Sequence, residues 1–114
     1  MTLVLASQSV GRIAMLNAAG VAVEVVPALV DEDSIKTSLT EAGAKPRDIA
    51  DALAEAKARK VSRKEPTALV LGCDQICVGA DGHIFDKPKT PEDARAHLAR
   101  LSGSVHRLIS AAVI

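Results

Sequence analysis

Aromatic side chains are almost absent from this sequence of 114 residues, which contains a single Phe, Phe85, and no Trp or Tyr. Their absence argues against surfaces on which nucleic-acid bases stack and against aromatic cages for cations. The sequence also has no excess of positive charge that could bind nucleic acid without aromatic stacking, because the 14 lysine and arginine residues balance the 14 aspartate and glutamate residues. We therefore expect no nonspecific binding to nucleic acid or to a membrane surface.

Cysteine is also scarce, with Cys73 and Cys77 as the two in the sequence. If their segment is a strand, their Cα atoms lie about 13 Å apart, which is too far for a disulfide between them. We interpret both as small buried hydrophobic residues of a protein in a reducing compartment.

Long uninterrupted apolar runs are missing as well, and none is long enough to cross a bilayer. The apolar N-terminus has no basic segment before it, and Ser7, Ser9 and Arg12 interrupt it, unlike a secretion signal. The sequence therefore predicts a cytoplasmic protein that does not enter membranes.

The most informative stretch that is present runs from Ala68 to Val78. Its continuous apolar character predicts a strand buried on both faces. Asp74 lies inside this run, and an unpaired buried carboxylate is costly, so it needs a metal ion, a cation or a cleft. Clefts of this kind lie beyond the carboxyl ends of parallel strands. The alternative is a structural aspartate whose hydrogen bonds are satisfied.

The other segments alternate between strand and helix patterns, which predicts one α/β domain over residues 1–114, with a mixed sheet and flanking helices. The predicted order is strand, helix, strand, two helices, β-hairpin, helix, strand. The clearest elements are a strand at Leu3–Leu5, a helix beginning near Ser7 or Ser9, a strand at Val21–Val26, a helix from Pro46 to about Arg63, a helix capped by Thr90, and a strand at Val105–Ile114.

Two of these helices carry more detailed predictions. One interpretation of the acidic segment after the second strand is that Asp33 or Ser34 caps the next helix and the other acids are solvated. Ala94, Leu98 and Leu101 are expected to form the buried stripe of the helix after Thr90.

A first group of polar residues surrounds the start of the first helix. The backbone N–H groups near Ser7 and Ser9 form a natural site for an anion. Arg12, in the first turns, can add a guanidinium to a bound phosphate. Taken alone, the pattern is also compatible with an ordinary solvated arginine.

A second group is acidic and follows the second strand. Asp31 or Glu32 could join Asp74 in holding a hard divalent cation, since Mg²⁺ prefers a few carboxylates together with substrate phosphates. The alternative is that these acids are solvated.

Two lysines stand out by their positions. Lys57 falls on the apolar line of Ile49, Leu53 and Val61 along its helix, so it either extends its ammonium to solvent or reaches a polar cleft and meets a phosphate. Lys87 precedes Pro88, which holds it extended beside the hairpin, where it could point into the cleft.

Six short segments in this order and spacing resemble the Maf family. They are Leu5-Ala6-Ser7-Gln8-Ser9-Val10-Gly11-Arg12, Val30-Asp31-Glu32, Leu53-Ala54-Glu55-Ala56-Lys57-Ala58, Leu71-Gly72-Cys73-Asp74, Asp86-Lys87-Pro88 and Leu101-Ser102-Gly103-Ser104-Val105-His106. The resemblance covers the whole sequence but only the N-terminal part of the family's length.

The resemblance implies a cytoplasmic enzyme that converts a (deoxy)nucleoside triphosphate, pyrimidine or modified, to the monophosphate and pyrophosphate with a divalent metal, Mg²⁺ or Mn²⁺. It also implies a fold similar to the N-terminal part of the inosine triphosphate pyrophosphatases. Members often form dimers, so a homodimer is expected to be accessible, and the family was first linked to septum formation.

The resemblance further implies a role for each polar residue. Asp74 would activate water, and Glu32 and Asp74 would hold the metal. The phosphate-binding set would be Ser7, Arg12, Lys57 and Lys87.

The sequence departs from the family pattern at positions tied to base choice. Val10-Gly11 stands where members commonly have Pro followed by Arg or Trp, and Gln75 stands where pyrimidine-type members often have Thr. The family's distal Asp-Lys-Ala-Gly segment is missing, and the sequence ends on an apolar strand, so a truncated protein is expected.

Two other functions remain open at this point. One is a catalytically inactive nucleotide-binding module that regulates cell division through a partner. The other is an α/β domain in which Asp74 and Lys57 are incidental polar residues.

Overall fold

The computed structural model describes residues 2–114 as one five-stranded sheet with four helices, which confirms the predicted mixed α/β class. The elements in chain order are β1 (Leu3–Leu5), α1 (Val10–Ala18), β2 (Glu24–Val25), α2 (Glu32–Glu41), α3 (Pro46–Ser62), β3 (Leu69–Val78), β4 (Ile84–Phe85), α4 (Pro91–Leu101) and β5 (Arg107–Val113).

The sheet is organised around β3, the longest strand. Its first three residues pair in parallel with β1, which in turn pairs in parallel with β2. From Gly72 onward β3 pairs antiparallel with β5, and Cys77 and Val78 also pair antiparallel with β4. Asp74 therefore lies between the end of the β1 pairing at Leu71 and the start of the β4 pairing at Cys77.

The prediction that β3 is buried on both faces is wrong. Every second residue from Val70 to Val78 is buried, whereas Gln75 is exposed and both cysteines are only partly buried. The reason is that α3 covers one face of the strand, while the other face borders an open groove. The cysteines are free thiols on that less covered face.

Helix α3 provides the core that packs on β3. Ile49, Leu53 and Val61 are buried along one line of the helix, as predicted, and Lys57 is buried on the same line. Pro46 occupies the first turn, where its missing N–H costs nothing. Within residues 2–114, no helix combines the length and apolarity needed to cross a membrane.

The helix-capping predictions were partly right. Ser9 caps α1, and Thr90 caps α4 by accepting a hydrogen bond from the N–H of Asp93. The cap of α2 is Asp31, whose Oδ1 accepts from the N–H of Ser34 at 3.1 Å, and not Asp33 or Ser34. Helix α2 therefore begins two or three residues earlier than predicted.

The predicted buried stripe of α4 is wrong. This helix has no buried residue, and Leu98 is 68% exposed. Helical periodicity correctly placed Ala94, Leu98 and Leu101 on one face, but that face borders a cleft. The strand predicted at Val21–Val26 is also shorter, because only Glu24 and Val25 pair with β1.

Gly72 allows α3 to approach β3 at backbone distance. A Cβ added there would lie 2.2 Å from the carbonyl oxygen of Ala54 and 2.8 Å from the backbone N of Ala58. These atoms belong to the helix backbone and cannot rotate away. Gly72→Ala is therefore expected to lower the free energy of unfolding by about 3 kcal/mol, measured by urea denaturation.

Gly11→Ala is the matched control for that substitution, because its Cβ would meet only Ser9 Oγ at 3.9 Å. Gly11 is the second residue of α1, where alanine is a better helix former than glycine, so this variant should be unchanged or more stable by up to about 1 kcal/mol. A Gly72→Ala variant as stable as Gly11→Ala would contradict the close packing of α3 on β3.

Candidate functional site

A cleft of about 630 Å³ opens beside Asp74, and all four helices contribute to its walls. Its charged lining consists of four cations and three carboxylates, Arg12, Lys36, Lys57, Lys87, Glu32, Asp74 and Asp86. The apolar wall comes chiefly from Ala94, Leu98 and Leu101 of α4, which line the cleft and do not pack in the core as predicted. Residues distant in sequence thus meet in one polar site with an aliphatic side.

Lys57 lies at the centre of the charged cluster. Its Nζ is 3.1 Å from Asp74 Oδ1 and 2.5 Å from Glu32 Oε1, and it also donates to the carbonyl oxygen of Cys73 at 3.4 Å. The Lys57 side chain is 11% exposed and that of Asp74 is 9% exposed. Of the two alternatives for Lys57, the structure shows the one in which it reaches a polar cleft.

Asp74 keeps one oxygen free in this arrangement. Oδ2 is buried and has no hydrogen-bond partner among residues 2–114. The partner that the sequence required is therefore a cation, Lys57, on one carboxylate oxygen only. The second oxygen is available to accept a proton or to contact a ligand.

Burial raises the pKa of Asp74 above the usual aspartate range. The positive charge of Lys57 opposes this effect, the charge of Glu32 adds to it, and the charge of Lys36 lowers the pKa slightly. Because folding raises this pKa, protonation of Asp74 favours the folded state. That contribution to stability is lost as the pH rises through the folded-state pKa.

The titration of Asp74 should respond to its neighbours with opposite signs. We expect Glu32→Gln to lower the midpoint, because a nearby negative charge is removed, and Lys36→Gln to raise it. The measurement is the pH dependence of the Asp74 side-chain carboxyl ¹³C shift. Asp33→Asn, beside Glu32 on α2, is the control and should leave the midpoint unchanged. If the titration midpoint of Asp74 moved in the same direction in Glu32→Gln and Lys36→Gln, this electrostatic description would be refuted.

The start of α1 orients Arg12. Ser9 Oγ accepts from the Arg12 N–H at 3.2 Å, and Ser7 Oγ accepts from the Ser9 N–H at 3.0 Å and from Arg12 Nη1 at 3.4 Å. Ser7 is buried beneath the guanidinium. Its contacts thus support Arg12, whereas Arg12 itself lines the cleft.

Lys87 and Lys36 approach the cleft from two different elements. Lys87 follows β4, is exposed, and lines the cleft together with Pro88. Sequence reasoning missed Lys36, whose Nζ lies 3.2 Å from Asp86 Oδ1. The available signal was its spacing of four residues from Glu32, which places both on one face of α2.

A second groove of about 580 Å³ adjoins the cleft across Arg12, Asp74 and Gln75. Its other lining residues are mostly aliphatic, including Met15 and Leu16. Gln75 Nε2 donates to Ser110 Oγ at 2.9 Å on this side of the sheet. Gly11 also borders the groove, so the two predicted specificity positions lie on the same surface.

Of the three carboxylates that line the cleft, Glu32 and Asp74 are the two that converge on one point and could serve as metal donors. No cluster of three or more His, Cys, Asp or Glu side chains that could hold an ion occurs within residues 2–114. Glu32 and Asp74 converge on Lys57, and the unpartnered Asp74 Oδ2 adds a free carboxylate oxygen. This set fits Mg²⁺, which commonly takes one or two carboxylates and completes its shell with phosphate oxygens and water.

The arrangement of Asp74, Lys57 and Glu32 involves three of the six segments that resemble the Maf family. The sequence matches the family described as "Maf-like protein" over residues 2–114. The chain belongs to the Maf family. The predicted resemblance is thereby confirmed over nearly the whole sequence.

Curated relatives of this Maf chain carry pyrophosphatase names. It is 55% identical over 113 residues to a nucleoside triphosphate pyrophosphatase of Sphingopyxis alaskensis, a match covering 99% of this chain and 57% of the relative. It is 54% identical over 112 residues to nucleoside triphosphate pyrophosphatase 1 of a Jannaschia species, covering 98% of this chain and 56% of the relative.

A third relative has a narrower name. The chain is 52% identical over 112 residues to a 7-methyl-GTP pyrophosphatase of Mesorhizobium japonicum, again covering 98% of this chain and 56% of the relative. This Maf chain therefore spans a little over half the length of the curated relatives that it matches.

Proposed function

We propose that this Maf chain carries the hydrolytic site of a nucleoside triphosphate pyrophosphatase. The observation that carries the proposal is the buried Asp74, which is paired with Lys57 on one oxygen and free on the other, at a cleft rimmed by cations. The names of its relatives support the same class of reaction. The cations suit a triphosphate, and the free carboxylate oxygen suits the activation of water.

Asp74 is the general base in this mechanism. Its Oδ2 takes a proton from a water molecule, and the water oxygen forms a bond to the α-phosphorus of the substrate. The bond between that phosphorus and the bridging oxygen breaks, and pyrophosphate leaves with the bonding electron pair. Because its pKa is raised, the ionised carboxylate of Asp74 is a stronger base than that of an ordinary aspartate.

The basic residues divide into two roles. Lys57, held between two carboxylates, orients Asp74, and its positive charge opposes the rise in the pKa of that carboxyl. Arg12 and Lys87 lie at the cleft surface, where they neutralise charge that builds on the leaving pyrophosphate. Ser7 positions Arg12 through its hydroxyl, which is a narrower role than the phosphate contact implied by the resemblance.

Glu32 and Asp74 are the residues that would hold Mg²⁺ or Mn²⁺. Such an ion, when bound, supplies charge neutralisation on the phosphates and lowers the pKa of bound water. Both carboxylates are oriented by Lys57, so the same lysine organises the donor set.

The adjoining groove is the proposed site for the nucleobase. Its aliphatic lining offers contact area without aromatic stacking, and Gln75 offers an amide for hydrogen bonds to a base edge. Gly11 leaves room for a large or modified base. The relative named for 7-methyl-GTP supports a modified base, and a pyrimidine stays the other predicted class.

The test is pyrophosphate release from a panel of nucleoside triphosphates that includes 7-methyl-GTP and pyrimidine nucleotides. Each is assayed with Mg²⁺, with Mn²⁺ and with EDTA, and the Sphingopyxis alaskensis relative serves as the positive control. Release by this chain supports the proposal. Nucleotide binding without release would favour the inactive module that regulates septum formation through a partner. Cytoplasmic location and a homodimer stay predictions.

A further inference from the structure

Lys36 lies one helical turn beyond Glu32 on α2 and faces the same cleft. Its side chain is 23% exposed, and its Nζ contacts Asp86 Oδ1, a carboxylate that is itself 66% exposed. The two residues are 50 positions apart in sequence, so the contact is made by the fold. Asp86 directly precedes Lys87, and both face the cleft together with Lys36.

The cations of the cleft differ in their availability to an anion. Lys57 is deep, and its ammonium is bound by two carboxylates and a carbonyl, so it cannot turn to a phosphate without leaving Asp74 uncompensated. Lys36 has one exposed carboxylate as its ion-pair partner, and exposed pairs of this kind are weak. A phosphate group carries more charge than a carboxylate and competes with it for the ammonium.

Lys36 is also close enough to Asp74, the proposed base, for its charge to affect that carboxylate. It borders the main cleft as well as two hollows that Asp86 also lines. Lys36 lines the same cleft as Glu32, the proposed metal-binding carboxylate, and Lys87, the outer cation. A triphosphate bound in this cleft can therefore meet Lys36 as well as Lys87.

We propose that Lys36 binds the phosphate chain of the substrate, and that Asp86 occupies its ammonium until the substrate displaces it. This inference rests on the proposed function and adds a binding residue to it. Asp86 acts as an internal competitor for the phosphate. Removing each partner should therefore change phosphate affinity in opposite directions.

The test is the dissociation constant for inorganic tripolyphosphate and for a nucleoside triphosphate that the chain hydrolyses, measured by calorimetry. We expect Lys36→Gln to weaken binding roughly tenfold, the value of one charge-assisted hydrogen bond. Asp86→Asn should tighten binding by about threefold because the competing carboxylate is gone. In the Asp86→Asn background, Lys36→Gln should cost more than it does in the wild type.

Lys89→Gln is the matched control. Lys89 lies on the same connection as Lys87 and is exposed, but it borders only an outer hollow and not the cleft. Its substitution should change affinity by less than about twofold. Lys36→Arg retains the charge and should keep most of the affinity, so it tests the role of charge if the glutamine variant is unstable.

Three results would overturn the inference. The first is equal weakening by Lys36→Gln and Asp86→Asn with lower Tm in both, which assigns the pair to structure alone. The second is strict additivity of the two affinity changes in the double variant. That result would mean that each residue acts on the ligand only through its own long-range charge, without competition between them. The third is unchanged affinity in Lys36→Gln.

The inference and the proposed function can fail separately. If the wild type binds and hydrolyses triphosphates while Lys36→Gln matches it, only the inference fails. If the wild type binds no triphosphate and releases no pyrophosphate, both fail. If it binds without release, the Lys36 and Asp86 variants still decide the inference through affinity.

Discussion

Asp74→Asn should reduce pyrophosphate release by at least about a hundredfold, the lower end of the contribution of a general base. The amide has nearly the shape of the carboxylate but cannot take a proton from water. Lys57 retains Glu32 as its ionic partner in this variant, so the fold should remain intact. The measurement is kcat for the best substrate together with Tm.

Asp81→Asn provides the control for that prediction. Asp81 is an exposed aspartate of the hairpin turn that pairs with Arg100 at 2.9 Å, outside the lining of the cleft. Its substitution should leave kcat near the wild-type value. Release by Asp74→Asn within tenfold of the wild type would exclude Asp74 as the base.

Lys57→Met should lower the free energy of unfolding by about 3 kcal/mol at neutral pH, the usual cost of breaking a buried ion pair from one side. Methionine fills a similar volume on the α3 stripe but leaves Asp74 buried without its cation. Loss of the contact with Glu32 adds little to this cost, because Glu32 is nearly half exposed and remains hydrated.

The decrease in the free energy of unfolding caused by Lys57→Met should become smaller as the pH falls. Without Lys57 the pKa of Asp74 rises further, so the buried carboxyl takes up a proton at acidic pH and its uncompensated charge disappears. Urea denaturation at neutral and mildly acidic pH measures the effect. The double variant Lys57→Met/Asp74→Asn should be more stable than Lys57→Met alone, since it removes the remaining charge.

The control is Lys64→Met, an exposed lysine just after α3, which should change stability by less than about 0.5 kcal/mol. If the stability lost in Lys57→Met is the same at neutral and acidic pH, then the packing of the Lys57 side chain, and not its charge, stabilises the fold.

Local signals predicted most of the helices correctly. Ser9, Pro46 and Thr90 act within one helical turn, so their effect on helix starts can be inferred without the rest of the chain. The stripe of α3 was predicted for the same reason, since its spacing alone brings Ile49 and Lys57 to one face. The cap of α2 was misplaced because several adjacent residues offer equivalent caps.

Burial was predicted less well because it depends on what lies opposite a face. The stripe of α4 has the periodicity of a core helix but borders the cleft. Strand β3 is apolar throughout, yet only the face toward α3 is buried. Apolar character reports which residues can be buried, and the packing of neighbouring elements decides which of them are.

The sequence by itself determined the α/β class, the resemblance to the Maf family, and Asp74, Lys57 and Glu32 as candidate residues. The tertiary structure alone decided that Lys57 lies between the two carboxylates, that Asp74 keeps one oxygen free, and that Lys36 meets Asp86. The physical reason is that these contacts join residues distant in the chain. The contact of Lys57 with Asp74 depends on how closely α3 packs on β3 at Gly72, and no periodicity in the sequence encodes that distance.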